Sequence, residues 1–519
     1  MTAVAAVEVI VSGRRYPGRL LALRVASRLG QPAQCELSFA ADATATPTAG
    51  LGGWTLGAPV GVRVAGEERE LFAGEVTCVE LLRGGGPVAL RVRAYDGLHR
   101  LRRRQEPRVL TDVTAADLAA DLAKRLGAAV DAAAPGPRHD RVVQHRQSDL
   151  ELLVELAGAA GLHPVLHHDT LRLVTLTGHG DPVPLRLGAS LWDVRVEANL
   201  SRVAGRVSAI GWHPQLAQVL RHDAGPVRAP DAGSGGAAAG MIVAANKGVA
   251  ATLVDQPARS EEAVAELARS TREALTAHAV TLHGTAAGNA ALWAGARIAV
   301  RGVADTVDGG YVVTSVTHVL DGAGYRSTFT TEPPEPPTAP AAASVTLGVV
   351  TAVDDPDSLG RVRVRLPALG DLDAGWLGVL CPGAGPAKGL VALPDVDDTV
   401  LVALPRQSPA DGVVLGGLFG AVAPPDAGIN GNAVRRWSMR TAAGQSIVVD
   451  DDGHSLRLEN RAGSYVELTP DTLRLHAAGD LVIDAPGRAM TLRAASVDFE
   501  HAPLPGLADV AAAVTPGKG

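Results

Sequence analysis

Aromatic side chains make up only 3% of this 519-residue chain, which also has just three cysteines, no long apolar run and no dominant charge sign. So few rings argue against one large aromatic-rich core. Cys35, Cys78 and Cys381 are far apart, odd in number and without a CxxC spacing. Neither a disulfide framework nor a zinc knuckle is indicated, and folding in a reducing compartment fits. No stretch approaches the ~18 uninterrupted apolar residues of a membrane span, and Met1-Thr-Ala-Val-Ala-Ala-Val-Glu8 lacks the basic and apolar regions of a signal peptide. The net charge of -7 supplies no overall field for nucleic acid or an anionic membrane. Arg100-Leu-Arg-Arg-Arg104 is the one dense basic run; with no aromatics interleaved, it reads as a solvated face or a contact with an acidic partner.

What the chain does have is glycine and proline, 59 and 34 residues, and 46% hydrophobic residues, enough for three or four domains dominated by turns and strands. Period-two runs such as Val7-Glu-Val-Ile-Val11, Cys35-Glu-Leu-Ser-Phe39 and Val88-Ala-Leu-Arg-Val-Arg-Ala94 predict antiparallel strands closing a barrel or sandwich. Two capping signals, Thr114-Ala-Ala-Asp117 and Ser148-Asp-Leu-Glu151, open helices with Leu118, Leu122 and Leu126, and Leu152, Leu153 and Leu156, on one face each. Gly127 and Gly161 end them. The Gly/Ala-rich stretch 222–244 reads as an exposed loop, and a third helix begins near Ser260, with Ala263, Val264, Leu267, Thr271 and Leu275 at helical spacing. Strands then resume until Pro333-Pro-Glu-Pro-Pro337 marks a boundary.

Between 345 and 420 six short strands are expected, at 347–353, 361–366, 376–380, 389–393, 399–404 and 412–417, the size of a small OB-type barrel. Beyond Trp437 the pattern becomes apolar doublets about eight residues apart: Ile447/Val449, Leu456/Leu458, Val466/Leu468, Leu473/Leu475, Leu481/Ile483, Met490/Leu492 and Val497/Phe499. Polar residues between doublet members, such as Arg457, Glu467, Arg474 and Asp498, should face outward. A single such ribbon would leave its apolar face in water. Three copies around a three-fold axis would bury it, and the short repeat favours that intertwined trimeric needle over a single-chain β-helix.

His163, His167 and His168 are close in sequence but lack metal-ligand spacing. Asp450, Asp451 and Asp452 precede Gly453 as in an ordinary strand corner. Gly84-Gly-Gly86 and 233–236 are not phosphate loops, being followed by neither Lys-Ser/Thr nor a helix. Ser455 beside His454 has no positioned base. The expected sets of catalytic, cofactor-binding and metal-binding residues are therefore empty, and no cofactor, nucleic acid or small-molecule substrate is expected.

The order of parts resembles the VgrG family, the spike proteins of contractile injection systems and contractile phage tails. The resemblance rests on Ala94-Tyr-Asp-Gly-Leu-His-Arg-Leu101, Ser148-Asp-Leu-Glu-Leu-Leu-Val-Glu-Leu-Ala157, Leu292-Trp-Ala-Gly-Ala-Arg-Ile-Ala-Val300 and Gly310-Tyr-Val-Val-Thr-Ser-Val-Thr-His318. In the barrel it rests on Gly360-Arg-Val-Arg-Val-Arg-Leu-Pro367, Ala392-Leu-Pro-Asp-Val-Asp-Asp-Thr-Val-Leu-Val402 and Val414-Leu-Gly-Gly-Leu-Phe419, and in the needle on Thr441-Ala-Ala-Gly-Gln-Ser-Ile-Val-Val-Asp-Asp451. It implies a mainly β fold: a hub at 1–335 of two barrel-like halves with a few helices, a linker at 336–343, an OB-fold barrel at 344–422, an intertwined trimeric β-helix at 430–502 and a flexible tail at 503–519. The implied protein is a homotrimeric structural spike, not an enzyme, that adapts a hexameric inner tube to the needle. Its implied partners are baseplate proteins, a PAAR-type tip protein and effectors. It would assemble in the bacterial cytoplasm within a particle that delivers or releases it. The places where relatives carry enzymatic domains, 420–437 and 503–519, hold only a loop and a short tail. The alternative is a trimeric β-stalk displaying an enzymatic or glycan-binding activity.

Overall fold

A computed structural model describes residues 7–40, 54–65, 70–82, 89–213, 218–226, 236–335 and 342–498. Two compact units divide the chain, Met1–Leu418 and Phe419–Gly519.

Alternation in the first unit builds one continuous antiparallel sheet of eleven strands. Their spatial order is Leu191–Ala198, Val280–Ala287, Gly324–Thr330, Ser315–Asp321, Leu20–Arg28, Gln34–Ala40, Ala89–Tyr95, Glu70–Leu82, Pro59–Val64, Val7–Val11 and Arg14–Arg15. The seam between Ser315–Asp321 and Leu20–Arg28, with His318 opposite Val25, joins segments distant in sequence. Two separate cores lie on this shared sheet. One gathers Leu37, Phe39, Val62 and Val92; the other gathers Leu282, Ile298, Val313 and Phe329. His318 fastens the second core: its Nε2 donates to the Leu292 carbonyl at 2.9 Å, and Ser327 Oγ lies 2.9 Å from Nδ1. That ties together two of the sequence runs that carry the family resemblance.

Among the described residues five α-helices interrupt the strands: α1 (Leu98–Arg102), α2 (Ala115–Leu126), α3 (Asp149–Ala159), α4 (Gly236–Ala245) and α5 (Glu261–Ala277). Helix α1 begins within the run Ala94–Leu101. The buried Asp96 carboxylate starts it by accepting from Leu98 N at 3.0 Å, and from Ala33 N at 2.9 Å. Helices α2 and α3 begin with the expected capping boxes at Thr114/Asp117 and Ser148/Glu151, and Gly127 ends α2 in the left-handed conformation. Leu118, Leu122, Leu153 and Leu156 pack the two helices into one core with Leu171 and Leu173. Ser260 caps α5, whose Val264 and Ala268 cover the three-stranded sheet of Gln218–Pro226, Arg206–His213 and Ala250–Pro257.

The loop expected at 222–244 is corrected. Residues up to Pro226 extend a strand, 227–235 lie outside the described residues, and Gly236 opens α4, so a helix does follow the glycine cluster. Alanine-rich sequence without polar turn residues propagates a helix once a face can be buried, and Ala239 and Val243 are buried in the second core. The Gly84-Gly-Gly86 run lies outside the described residues.

Downstream, Ser344–Ala352, Val362–Leu366, Leu372–Val379, Thr399–Leu404 and Val413–Gly417 close into a barrel. It has five strands; the sixth expected, at 389–393, is an exposed irregular segment with Val391 72% accessible. Closure is tight at Gly348, where a Cβ would meet Val364 Cγ1 at 2.5 Å. The loop before Val362–Leu366 is held by Asp355, whose carboxylate accepts from Arg361 Nε at 3.0 Å and Nη2 at 2.5 Å, and from Leu359 N at 2.8 Å. These bonds, the Arg361 guanidinium foremost, hold the Asp355 carboxyl well below the usual range. Arg259 reaches across from the hub to Asp411 at 3.3 Å, and Val143 joins the barrel core, so hub and barrel are packed together.

Candidate assembly interface

In the second unit the doublets stand on an antiparallel meander of five strands: Arg436–Arg440, Ser446–Asp450, Ser455–Glu459, Tyr465–Leu468 and Leu473–His476. The corners set the register. Asp450 Oδ1 accepts from Asp452 N and Gly453 N, both at 3.0 Å, so the acidic run is a turn built on its own amides. The Asn460 carbonyl and side chain likewise bind the amides of Gly463 and Ser464.

Register then aligns the apolar residues into two rows on one face. Met439, Ile447, Leu458, Val466 and Leu475 follow one another across the strands, as do Trp437, Val449, Leu456, Leu468 and Leu473. Trp437 and Met439, one strand ahead of the first expected doublet, share the same spacing around Ser438. The opposite face is polar: Arg457 pairs with Glu467 and Glu459, each at 3.0 Å, and lies 3.9 Å over the Tyr465 ring, which stacks on His476.

Among the described residues nothing buries this apolar face as a core does. Trp437 is 72% exposed, Leu473 65% and Leu475 57%. All the hydrophobic clusters among the described residues lie in the first unit. Among the described residues strand pairing ends at His476, so the doublets Leu481/Ile483 and Met490/Leu492, and Val497, stand outside its strands, while Phe499 lies outside the described residues.

The other singled-out residues do not converge on a reacting centre. Burial pushes His163 down to about 4; His167 stacks on Trp293 at 4.1 Å; His168 occupies a turn at φ +53°. The basic run finds acidic partners inside the molecule, Arg100 on Glu75 and Arg104 on Glu106, each at 2.5 Å. His454 is a left-handed corner residue leading into the strand that begins at Ser455. All three cysteines are free, with Cys35 buried and its thiol pushed up by desolvation. Among the described residues no group of three or more His, Cys, Asp or Glu side chains is arranged to hold a metal, and no helix is long and apolar enough to cross a membrane.

A hub built on a shared sheet, a closed five-stranded barrel and a β-ladder give the chain a VgrG-like fold of the phage-tail and type VI secretion class. The chain belongs to the phage tail baseplate hub family, whose profile matches residues 27–323, more than half of it; the type VI secretion system/phage-baseplate injector OB domain matches residues 346–419. No curated protein matches the chain. Among solved structures, an E. coli type VI secretion component with structural similarity to T4 bacteriophage tail proteins aligns at 14% identity and TM-score 0.52, covering 79% of this chain and 100% of its own. A Francisella PdpA–VgrG complex in its half-lidded form aligns at 9% identity and TM-score 0.53, covering 91% of this chain and 88% of its own. At these identities the likeness is one of fold.

Proposed function

We propose that the protein is the homotrimeric structural spike of a phage-tail-like contractile injection system. In this reading residues 1–335 form the hub, 344–422 the barrel and 430–502 the needle. The observation that carries it is the pair of apolar rows, in register and uncovered. A ribbon with one apolar face is unstable alone, and burying side chains of this size contributes about 1.5–3 kcal/mol each. Three copies can turn all their rows to one axis and pair the strand edges, and the unpaired doublets after His476 have the spacing to extend the same seam.

A needle built this way resists local unfolding, which piercing requires and which needs no active site. Family membership supports a place in the baseplate. The hub would adapt a hexameric inner tube, while a PAAR-type tip and effectors ride on the needle of a particle assembled in the cytoplasm. The deciding measurement is the solution mass of the full chain beside that of a chain lacking 437–501. A trimer that becomes smaller on deletion is expected; a stable monomer of the full chain sinks the reading.

A further inference from the structure

The open face of the shared sheet carries a groove of about 610 Å³ between the strands and α3. Its floor is a cross-strand row in register: Thr317, Ala26, Gln34 and Tyr95 stand side by side on four neighbouring strands. Arg24 and Arg28 rise on either side of Ala26 from one strand, and Arg102 at the end of α1 comes in with its guanidinium 5.0 Å from the Tyr95 ring centroid.

The nearby carboxylates are engaged elsewhere. Glu151 and Glu155 are on the α3 wall, but Glu151 accepts from Ser148 N at 2.8 Å in the capping box and Glu155 accepts from Gln147 Nε2 at 3.1 Å. Glu36, directly across from Arg24, pairs with Arg91 at 3.5 Å. Asp96 is buried against the amides of Ala33 and Leu98 and also feels the charge of Arg102, so Arg24 and Arg28 are the two groove arginines furthest from such a partner. Among the described residues no ion pair joins Arg24, Arg28 or Arg102 to a carboxylate, in a chain whose net charge is -7. Guanidinium forks around a concavity focus positive potential there and match carboxylates two bonds at a time.

We propose that this groove docks a carboxylate-rich segment of a partner protein. Arg24 and Arg28 are four residues apart on a strand, roughly 13 Å at ~3.3 Å per residue, so one small carboxylate cannot reach both, whereas a peptide with spaced acidic side chains can. Single-stranded nucleic acid fits poorly, because the one ring on the floor is already overlain by Arg102 and offers no stacking platform. The inference goes beyond the spike reading and uses none of the ladder.

The test is fluorescence anisotropy of a labelled decaglutamate peptide with the full-length chain, with decalysine as the control. Saturable decaglutamate binding that weakens with salt is expected, with at least a tenfold loss in the Arg24→Glu/Arg28→Glu pair and no loss in Arg103→Glu, which is exposed outside the groove. If the strand pair proves unstable, Arg102→Glu reports on the same groove from the helical side. No saturable binding, unchanged affinity in the groove variants, or an equal loss in Arg103→Glu would overturn the proposal. Solution mass is measured on the same preparations, so failure of the trimer and failure of the groove are separate results.

Discussion

The barrel and the ladder are written in the same alternating code and end in opposite states. In the barrel, Val362, Val364 and Leu366 occupy every second position of one strand and are fully buried. In the ladder, Leu456 and Leu458 have the same spacing, yet Leu458 remains 44% exposed and its row neighbour Leu475 57%. The difference is closure. Val413–Gly417 pairs with Thr399–Leu404 on one side and with Leu372–Val379 on the other, so the barrel sheet meets itself. Among the described residues the outer ladder strands Arg436–Arg440 and Leu473–His476 each pair on one side only. Alternation says which face is apolar; whether the chain itself covers that face depends on whether its sheet can curl round.

The contrast can be broken most severely by placing one charge in each region. Val402→Asp puts a carboxylate into the closed core and should cost about 4 kcal/mol or more, unfolding the barrel in a thermal melt. Leu475→Asp, at an already exposed position, should leave the protomer's melting almost unchanged while solution mass falls to that of the monomer. Loss of folding in both variants would mean that the ladder is not an intermolecular face. Next in size is Asp355→Ala, which strands the nearly buried Arg361 guanidinium and should lower barrel stability by about 3 kcal/mol in a denaturant titration.

Acid should act on the hub before the ladder. Burial pushes His318 down to about 4 from the ordinary 6.5. Its neutral form is the folded form, so its contribution is intact above pH 6.5 and is lost as pH falls towards 4, by up to about 3 kcal/mol. Melting temperature against pH checks this, and His318→Asn, though less stable at pH 7.5, should show a shallower acid slope. The smallest effect is expected on the polar face of the ladder, where Arg457→Ala removes ion pairs that water already screens and should change stability by about 0.5 kcal/mol or less.

Much of the fold was legible because its signals are local. The hydroxyl-to-carboxylate spacings at Thr114 and Ser148 specify helix starts without help from the rest of the chain, and the doublets mark the ladder strands through His476. The errors fell where context decides. Residues 236–245 have no polar turn chemistry and form a helix because the second core receives Ala239 and Val243. The run 389–393 is apolar like a buried strand, but among the described residues it joins no sheet. The candidate interface was legible in outline; its first pair, Trp437 and Met439, shows fully only once register places it beside Val449 and Ile447. The groove was not legible at all, because Arg24, Gln34, Tyr95, Arg102 and Thr317 come from five separate segments.

By itself the sequence determined periodicity, caps, corners and the apolar side of each strand, since these depend on neighbours a few residues away. Only the tertiary structure decided that two hub cores share one sheet, that the five barrel strands close while the five ladder strands stay open, and which arginines line the groove. Those outcomes depend on pairings between distant segments, on twist and on space, none of which a run of adjacent residues encodes.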